Sequence, residues 1–213
     1  MKILCIGYRD WAINIYKNIK FKNKKIQVLI KKKNLNFKDI KKINPDLVLY
    51  YGWSNFINKN IYKNFFCLML HPSDLPKFRG GSPLQNQIIN SIEKSAVTIF
   101  KINKDLDGGP ILKKHYLSLK GSIYDIFNRL EKIGTKLTNE IIKGNYKLRN
   151  QNLKNTKIYK RLKPHQSEIK ISELLNKDSK YLYNKIRMLE DPYPNAFIKT
   201  KDKKKLYLKK ACL

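Results

Sequence analysis

The first fifty residues alternate between two kinds of segment, and this alternation narrows the fold more than any other feature of the chain. "KILCIG" (Lys2 to Gly7) is a continuous apolar run ending on glycine, as a strand buried on both faces requires. "DWAINIYKNI" (Asp10 to Ile19) then spaces Trp11, Ile15 and Ile19 as one face of a helix behind an acidic start. "IQVLI" (Ile26 to Ile30) repeats the strand pattern. "FKDIKKI" (Phe37 to Ile43) reads as a short amphipathic helix, and "PDLVLYYG" (Pro45 to Gly52) as a third buried strand. Alternation of this kind predicts a parallel sheet with right-handed crossovers. The fourth strand, "FFCLML" (Phe65 to Leu70), leaves His71 at its carboxyl end, where open parallel sheets hold their ligands.

The pattern continues with a helix over "PLQNQIINSI" (Pro83 to Ile92), with Pro83 in the first turn where its missing N–H costs nothing. Next come a strand (Ser95 to Ile102), a tight loop "KDLDGGP" (Lys104 to Pro110), a strand (Ile111 to Leu119) and a long helix from Ser122 to about Lys143. From Gly144 to about Gln166 the chain is polar and weakly patterned, which reads as a linker. A helix (Lys180 to Leu189), a turn "EDPYPN" and a hairpin around "KDKKK" finish the chain. The expected fold is α/β, a Rossmann-like, mostly parallel sheet with helices on both faces, plus a small C-terminal helix and β-hairpin. Residues 1–150 form the main domain, and 151–213 form a subdomain too small for its own core.

Composition excludes several classes. No run of about 18 apolar residues is present, and Arg9 and Asp10 interrupt the start too early for a signal peptide, so a soluble, cytoplasmic protein with no membrane partner is expected. Three cysteines, Cys5, Cys67 and Cys212, form no C-x-x-C pair, which argues against disulfides and a metal site. The formal charge of +30 attracts polyanions such as nucleotides. Its lysines, however, are spread over nearly every segment alongside heavy use of isoleucine and asparagine. That distribution reads as a solvated surface, and nucleic acid is not the expected partner.

Gly7 is followed by Tyr8, Arg9, Asp10 and Trp11, with neither G-x-G-x-x-G nor G-K-[ST], so the first turn carries no nucleotide-phosphate loop. Attention moves to His71 in "LHPSDLP" and Asp107 in "LDGGP", two ionisable residues in loops expected to face one crevice. Singly, each has a plain structural explanation. A histidine before a proline can simply end a strand, Asp-Gly-Gly-Pro is a natural turn, and "RGGSP" can be a flexible connection.

Taken together and in order, "HPSDLPKFRGGSPLQNQIINSIEKSAVTIFKINKDLDGGPIL" (His71 to Leu112) resembles the core of the formyltransferase family that uses 10-formyltetrahydrofolate. The resemblance extends upstream through "GWSNFI" (Gly52 to Ile57). It implies that His71 is the central catalytic residue, taking the amine proton or stabilising an oxyanion, and that Asp107 orients it. It implies a pterin pocket from Gly52, Phe56, Ile57 and Leu106, with Gly108 and Gly109 letting the loop backbone approach the folate. The acceptor would lie against Ser73, Lys77, Arg79, Gly80 and Gly81. One position departs from the family. The asparagine of Asn-x-His falls on Met69, and a thioether cannot donate to an oxyanion. Substitutes would be the imidazolium, a backbone N–H, or the amide of Asn86 or Gln85.

For the acceptor, the resemblance leaves three choices. The tRNA enzyme of the family carries a further nucleic-acid-binding domain, for which a chain ending at Leu213 has no room. The tail "IRMLEDPYPNAFIKT" (Ile186 to Thr200) resembles the segment after the catalytic domain of sugar N-formyltransferases and not the purine-pathway enzyme. A nucleotide-linked amino sugar is therefore the expected small-molecule substrate, its diphosphate suited to Lys77 and Arg79, with a homodimer supported by the hairpin. The alternatives are a methionyl-tRNA or glycinamide ribonucleotide formyltransferase-like enzyme, or a non-catalytic folate- or nucleotide-binding relative.

Overall fold

The computed structural model describes residues 1–20 and 26–213. A six-stranded sheet has the order β2-β1-β3-β4-β6-β7, built from β1 (Lys2–Ile6), β2 (Gln27–Lys31), β3 (Leu47–Tyr51), β4 (Cys67–His71), β6 (Lys94–Lys101) and β7 (Ile111–Ser118). The β1–β2, β1–β3 and β3–β4 pairs are parallel, as the alternating pattern predicts. The β4–β6 and β6–β7 pairs are antiparallel, so the sheet changes sense where β4 ends on His71. The sense of the β6–β7 pair follows from connection length. β6 and β7 are joined by the short loop at 102–110, which has no room for a crossover helix.

Helices α1 (Asp10–Lys17) and α5 (Ile123–Ile142) cover one face of the sheet. α2 (Phe37–Ile43) and α3 (Lys59–Asn64) cover the other, which has a second apolar cluster of Leu4, Ile6, Ile40, Val48, Tyr50, Ile61 and Cys67. α2 and α5 begin with reciprocal capping boxes, Asn36 with Asp39 and Ser122 with Asp125. α5 approaches the sheet closely at Gly134, where a Cβ would lie 2.6 Å from Ile15 Cδ1 and 2.9 Å from Leu70 Cδ1. Tyr16 of α1 ties two strand ends together: its hydroxyl donates to the Ile6 carbonyl at 2.9 Å and accepts the Tyr51 N–H at 2.6 Å.

After β4 come a two-residue strand β5 (Arg79–Gly80) and helix α4 (Pro83–Ile89). Beyond α5 the chain forms the two-residue strand β8 (Ile158–Tyr159), a 3-10 turn (Pro164–Ser167), α6 (Ile171–Asn176), α7 (Ser179–Arg187) and the hairpin β9 (Ala196–Lys199) with β10 (Lys205–Leu208). The terminal part shares the main core through Ile169, Met188, Leu189 and Ala196. Arg187, buried, holds it there by donating to the carbonyls of Leu119 and Gly121 at 2.8 Å each. The run read as a featureless linker contains β8, which pairs in parallel with β5. Among the described residues no helix is long and apolar enough to cross a membrane.

Candidate active site

His71 ends β4 at the point where parallel pairing gives way to antiparallel, with Thr98 opposite it on β6. The residue is 5% exposed, and Nε2 lies 2.9 Å from the carbonyl oxygen of Phe78. A carbonyl only accepts, so Nε2 carries the proton of that bond. Nδ1 faces Asp107 Oδ2 at 3.6 Å, too long for a hydrogen bond but close enough for a strong charge interaction in a buried site. Asp107 is 7% exposed, sits at φ 48° in the left-handed region, and accepts the Gly80 N–H at 2.8 Å. The two residues singled out in the sequence are thus brought together from loops 36 positions apart, and both face one cavity.

That cavity has a volume of about 570 Å³, within the range of small-molecule sites. Trp53, Ile57, Tyr62, Met69, Ile102 and Leu106 form its apolar wall. Gly52, Phe56, Ile57 and Leu106, expected around a pterin, all line it, although Phe56 is 88% exposed and stands at the mouth. The Trp53 indole N–H is buried with no hydrogen-bond partner among the described residues, so the wall keeps a donor for a flat heterocycle with acceptor atoms. Shape, apolar lining and spare donor fit a reduced folate.

Not every residue expected at the site lines this cavity. Gly108 and Gly109 do not line the cavity. Their smallness serves packing within the protein: a Cβ on Gly108 would lie 2.8 Å from Asp105 Cβ and 2.9 Å from Leu153 Cδ1, and one on Gly109 would collide with the Lys101 carbonyl oxygen. Gly80 and Gly81 reach the cavity, but Ser73, Lys77 and Arg79 do not. Ser73 is buried and donates to the Lys77 carbonyl at 2.7 Å, which closes the turn after His71. Lys77 is on the surface outside the cavity. Arg79 is buried, and its Nε and Nη1 donate to the Leu106 carbonyl (2.8 Å) and Thr156 Oγ1 (3.0 Å), which directs these two donors into the protein. Of the two amides offered as substitutes for the missing asparagine, Asn86 donates to the Gly81 carbonyl at 2.8 Å outside the cavity, whereas Gln85 lines it and donates to the Met188 carbonyl at 3.4 Å. Met69 lines it too, two residues before His71.

The site also holds residues the sequence reading passed over. Arg9, Lys104, Lys160 and Arg161 form a basic rim, and none of their side chains meets a carboxylate among the described residues. Lys160 and Arg161 reach the cavity only because β8 pairs with β5 across some 80 positions, and a two-residue strand has no periodicity to detect. Tyr159 stacks on Phe78 with ring centroids 5.0 Å apart.

Residues 14–142 match the formyl transferase family. The chain is 29% identical over 187 residues to methionyl-tRNA formyltransferase from Finegoldia magna, covering 82% of this chain and 59% of that protein. It therefore spans little more than half the length of the curated relatives it matches. Among solved structures, methionyl-tRNA formyltransferase from Clostridium thermocellum superposes with a TM-score of 0.84 at 36% identity, covering 94% of this chain and 88% of that one. A sugar N-formyltransferase from Shewanella sp. shares the fold at a TM-score of 0.76 and 17% identity, covering 100% and 98%.

Proposed function

The chain belongs to the formyl transferase family, and from that premise we propose that it moves a formyl group from 10-formyltetrahydrofolate to the amine of a phosphate-bearing acceptor. The observation that carries the reading is the placing of His71 between the Phe78 carbonyl and Asp107 at the wall of a folate-sized cavity. When bound, the folate supplies an electrophilic formyl carbon. The apolar wall from Trp53 to Leu106 holds its ring system and excludes water.

With Nε2–H committed to Phe78, the Nδ1 lone pair is the basic position of His71. It takes the proton released by the attacking amine and returns it to the leaving nitrogen. Asp107, 3.6 Å away, stabilises the imidazolium formed in between. Met69 offers no proton to the charge that develops on the formyl oxygen; of the amides lining the cavity, Asn55, Asn103 and Gln85, the last has a second N–H beyond its 3.4 Å bond to the Met188 carbonyl and is the candidate donor nearest in sequence to the glycines at 80 and 81.

For the acceptor, the 36% identity to a methionyl-tRNA formyltransferase structure supports methionyl-tRNA over the sugar expected from the sequence. The basic rim of Arg9, Lys104, Lys160 and Arg161, which meets no carboxylate among the described residues, suits its phosphates. The nucleotide-linked amino sugar is the second reading, on the resemblance of the tail Ile186 to Thr200 to the segment after the catalytic domain of sugar N-formyltransferases. Incubating the protein with 10-formyltetrahydrofolate and either methionyl-tRNA or a panel of nucleotide-linked 4-amino sugars separates the two. Formylated methionyl-tRNA with release of tetrahydrofolate is expected. Formylation of a sugar alone supports the second reading, and folate binding without turnover on any amine overturns both.

A further inference from the structure

Both partners of His71 are held by one stretch of chain, residues 149–161, which pattern alone marks as a linker. It is anchored at Arg149, whose backbone pairs in both directions with Ile111 at the start of β7 (2.8 and 2.9 Å). Two residues on, Gln151 Nε2 donates to the carbonyls of Asp107 (3.0 Å) and Gly109 (2.7 Å), spanning Gly108. Thr156 then receives Arg79, whose Nε fixes the Leu106 carbonyl. Finally Ile158 and Tyr159 pair with Arg79 and Gly80, and the Tyr159 ring stacks on Phe78, whose carbonyl accepts from His71.

Within this strap, Gln151 acts closest to the carboxylate. Asp107 adopts a left-handed conformation that a residue with a Cβ keeps only when its surroundings dictate it. The carbonyls of the two residues that flank Gly108 are fixed by the two N–H groups of a single amide. The other end of that amide, Gln151 Oε1, is buried without a partner among the described residues, so the side chain acts there as a double donor.

We propose that Gln151 is a positioning residue for formyl transfer, setting the Asp107 carboxylate against His71 by clamping the carbonyls of Asp107 and Gly109. This rests on the proposed reaction for its kinetic readout, and on ring geometry for an independent one.

The test compares wild type with Gln151→Met, which keeps the length and removes both donors, alone and combined with Asp107→Asn. Gln151→Met is expected to lower kcat by about 10- to 100-fold with little change in KM for folate or acceptor. In the Asp107→Asn background the same change should cost almost nothing more, because its effect passes through the carboxylate. NMR of ¹⁵N-labelled histidine rings supplies the second readout, since the chain has three histidines. His71 resonances should move in Gln151→Met in the same sense as in Asp107→Asn. Independent, multiplying losses in the double variant, or His71 resonances that stay at their wild-type positions, overturn the proposal. If wild type formylates no amine, the proposed function fails, and the ring resonances alone still decide the role of Gln151.

Discussion

Replacing Asp107 with asparagine isolates the charge of the His71 pair, because the shape and the hydrogen bond to Gly80 survive. The asparagine Oδ1 can accept the same N–H that Asp107 Oδ2 accepts at 2.8 Å, so the loop keeps its anchor. What is lost is the attraction to an imidazolium whose Nδ1 lies 3.6 Å away. At an effective dielectric constant of roughly 20, Coulomb's law gives about 4 to 5 kcal/mol for unit charges at that separation. The amide dipole of asparagine returns part of it, leaving about 3 to 4 kcal/mol. Each ~1.4 kcal/mol is tenfold in rate, so kcat should fall by about 10² to 10³. The assay is single-turnover formyl transfer at saturating folate and acceptor, with circular dichroism and thermal melting to verify folding. A folded Asp107→Asn protein that loses less than about tenfold in the chemical step would refute the reasoning, because His71 would then work without its charge partner.

Met69→Asn restores a donor at the cavity wall two residues before His71 and should raise turnover by about ten- to a hundredfold, read in the same assay. A fall in activity with retained folding would show that the thioether belongs to a reorganised pocket. Gly109→Ala drives a Cβ into the Lys101 carbonyl oxygen, where only backbone could yield; about 3 kcal/mol of stability or more should be lost, measured by chemical denaturation. Burial pushes the Glu173 carboxyl up, but hydrogen bonds from Lys185, the Lys170 backbone and Tyr181 outweigh it and hold it below its ordinary 4.5. Its contribution to stability is therefore complete above pH 4.5 and is lost as the pH falls through the lower folded value. Denaturation curves from pH 7 to 3 should flatten in Glu173→Gln.

The parts of the fold that sequence pattern exposed are those whose cause is local. An apolar run ending on glycine reports a strand buried on both faces, and Ile15 and Leu130 report the helical stripes that meet it, whatever lies elsewhere in the chain. His71 and Asp107 were recognisable for a similar reason, since each stands in a short, ordered motif. Pattern and packing point in different directions where one residue type serves two ends. Arg79 in a glycine-rich loop looks like a phosphate ligand, and Gly108 and Gly109 look like a gap left for a ligand. Only the packed structure shows that Arg79 braces Leu106 and Thr156, and that the glycines make room for Asp105, Leu153 and Lys101.

By itself, then, the sequence determined the layered α/β architecture, the strand end that carries the histidine, the loop that carries the carboxylate and the family. Tertiary structure decided which side chains are free to meet a ligand. Contacts such as β5 with β8 and Gln151 with Asp107 join residues 40 to 80 positions apart through one or two hydrogen bonds. Interactions that few and that distant leave no periodic trace in composition or spacing, yet they turn a weakly patterned linker into the strap that holds both sides of His71.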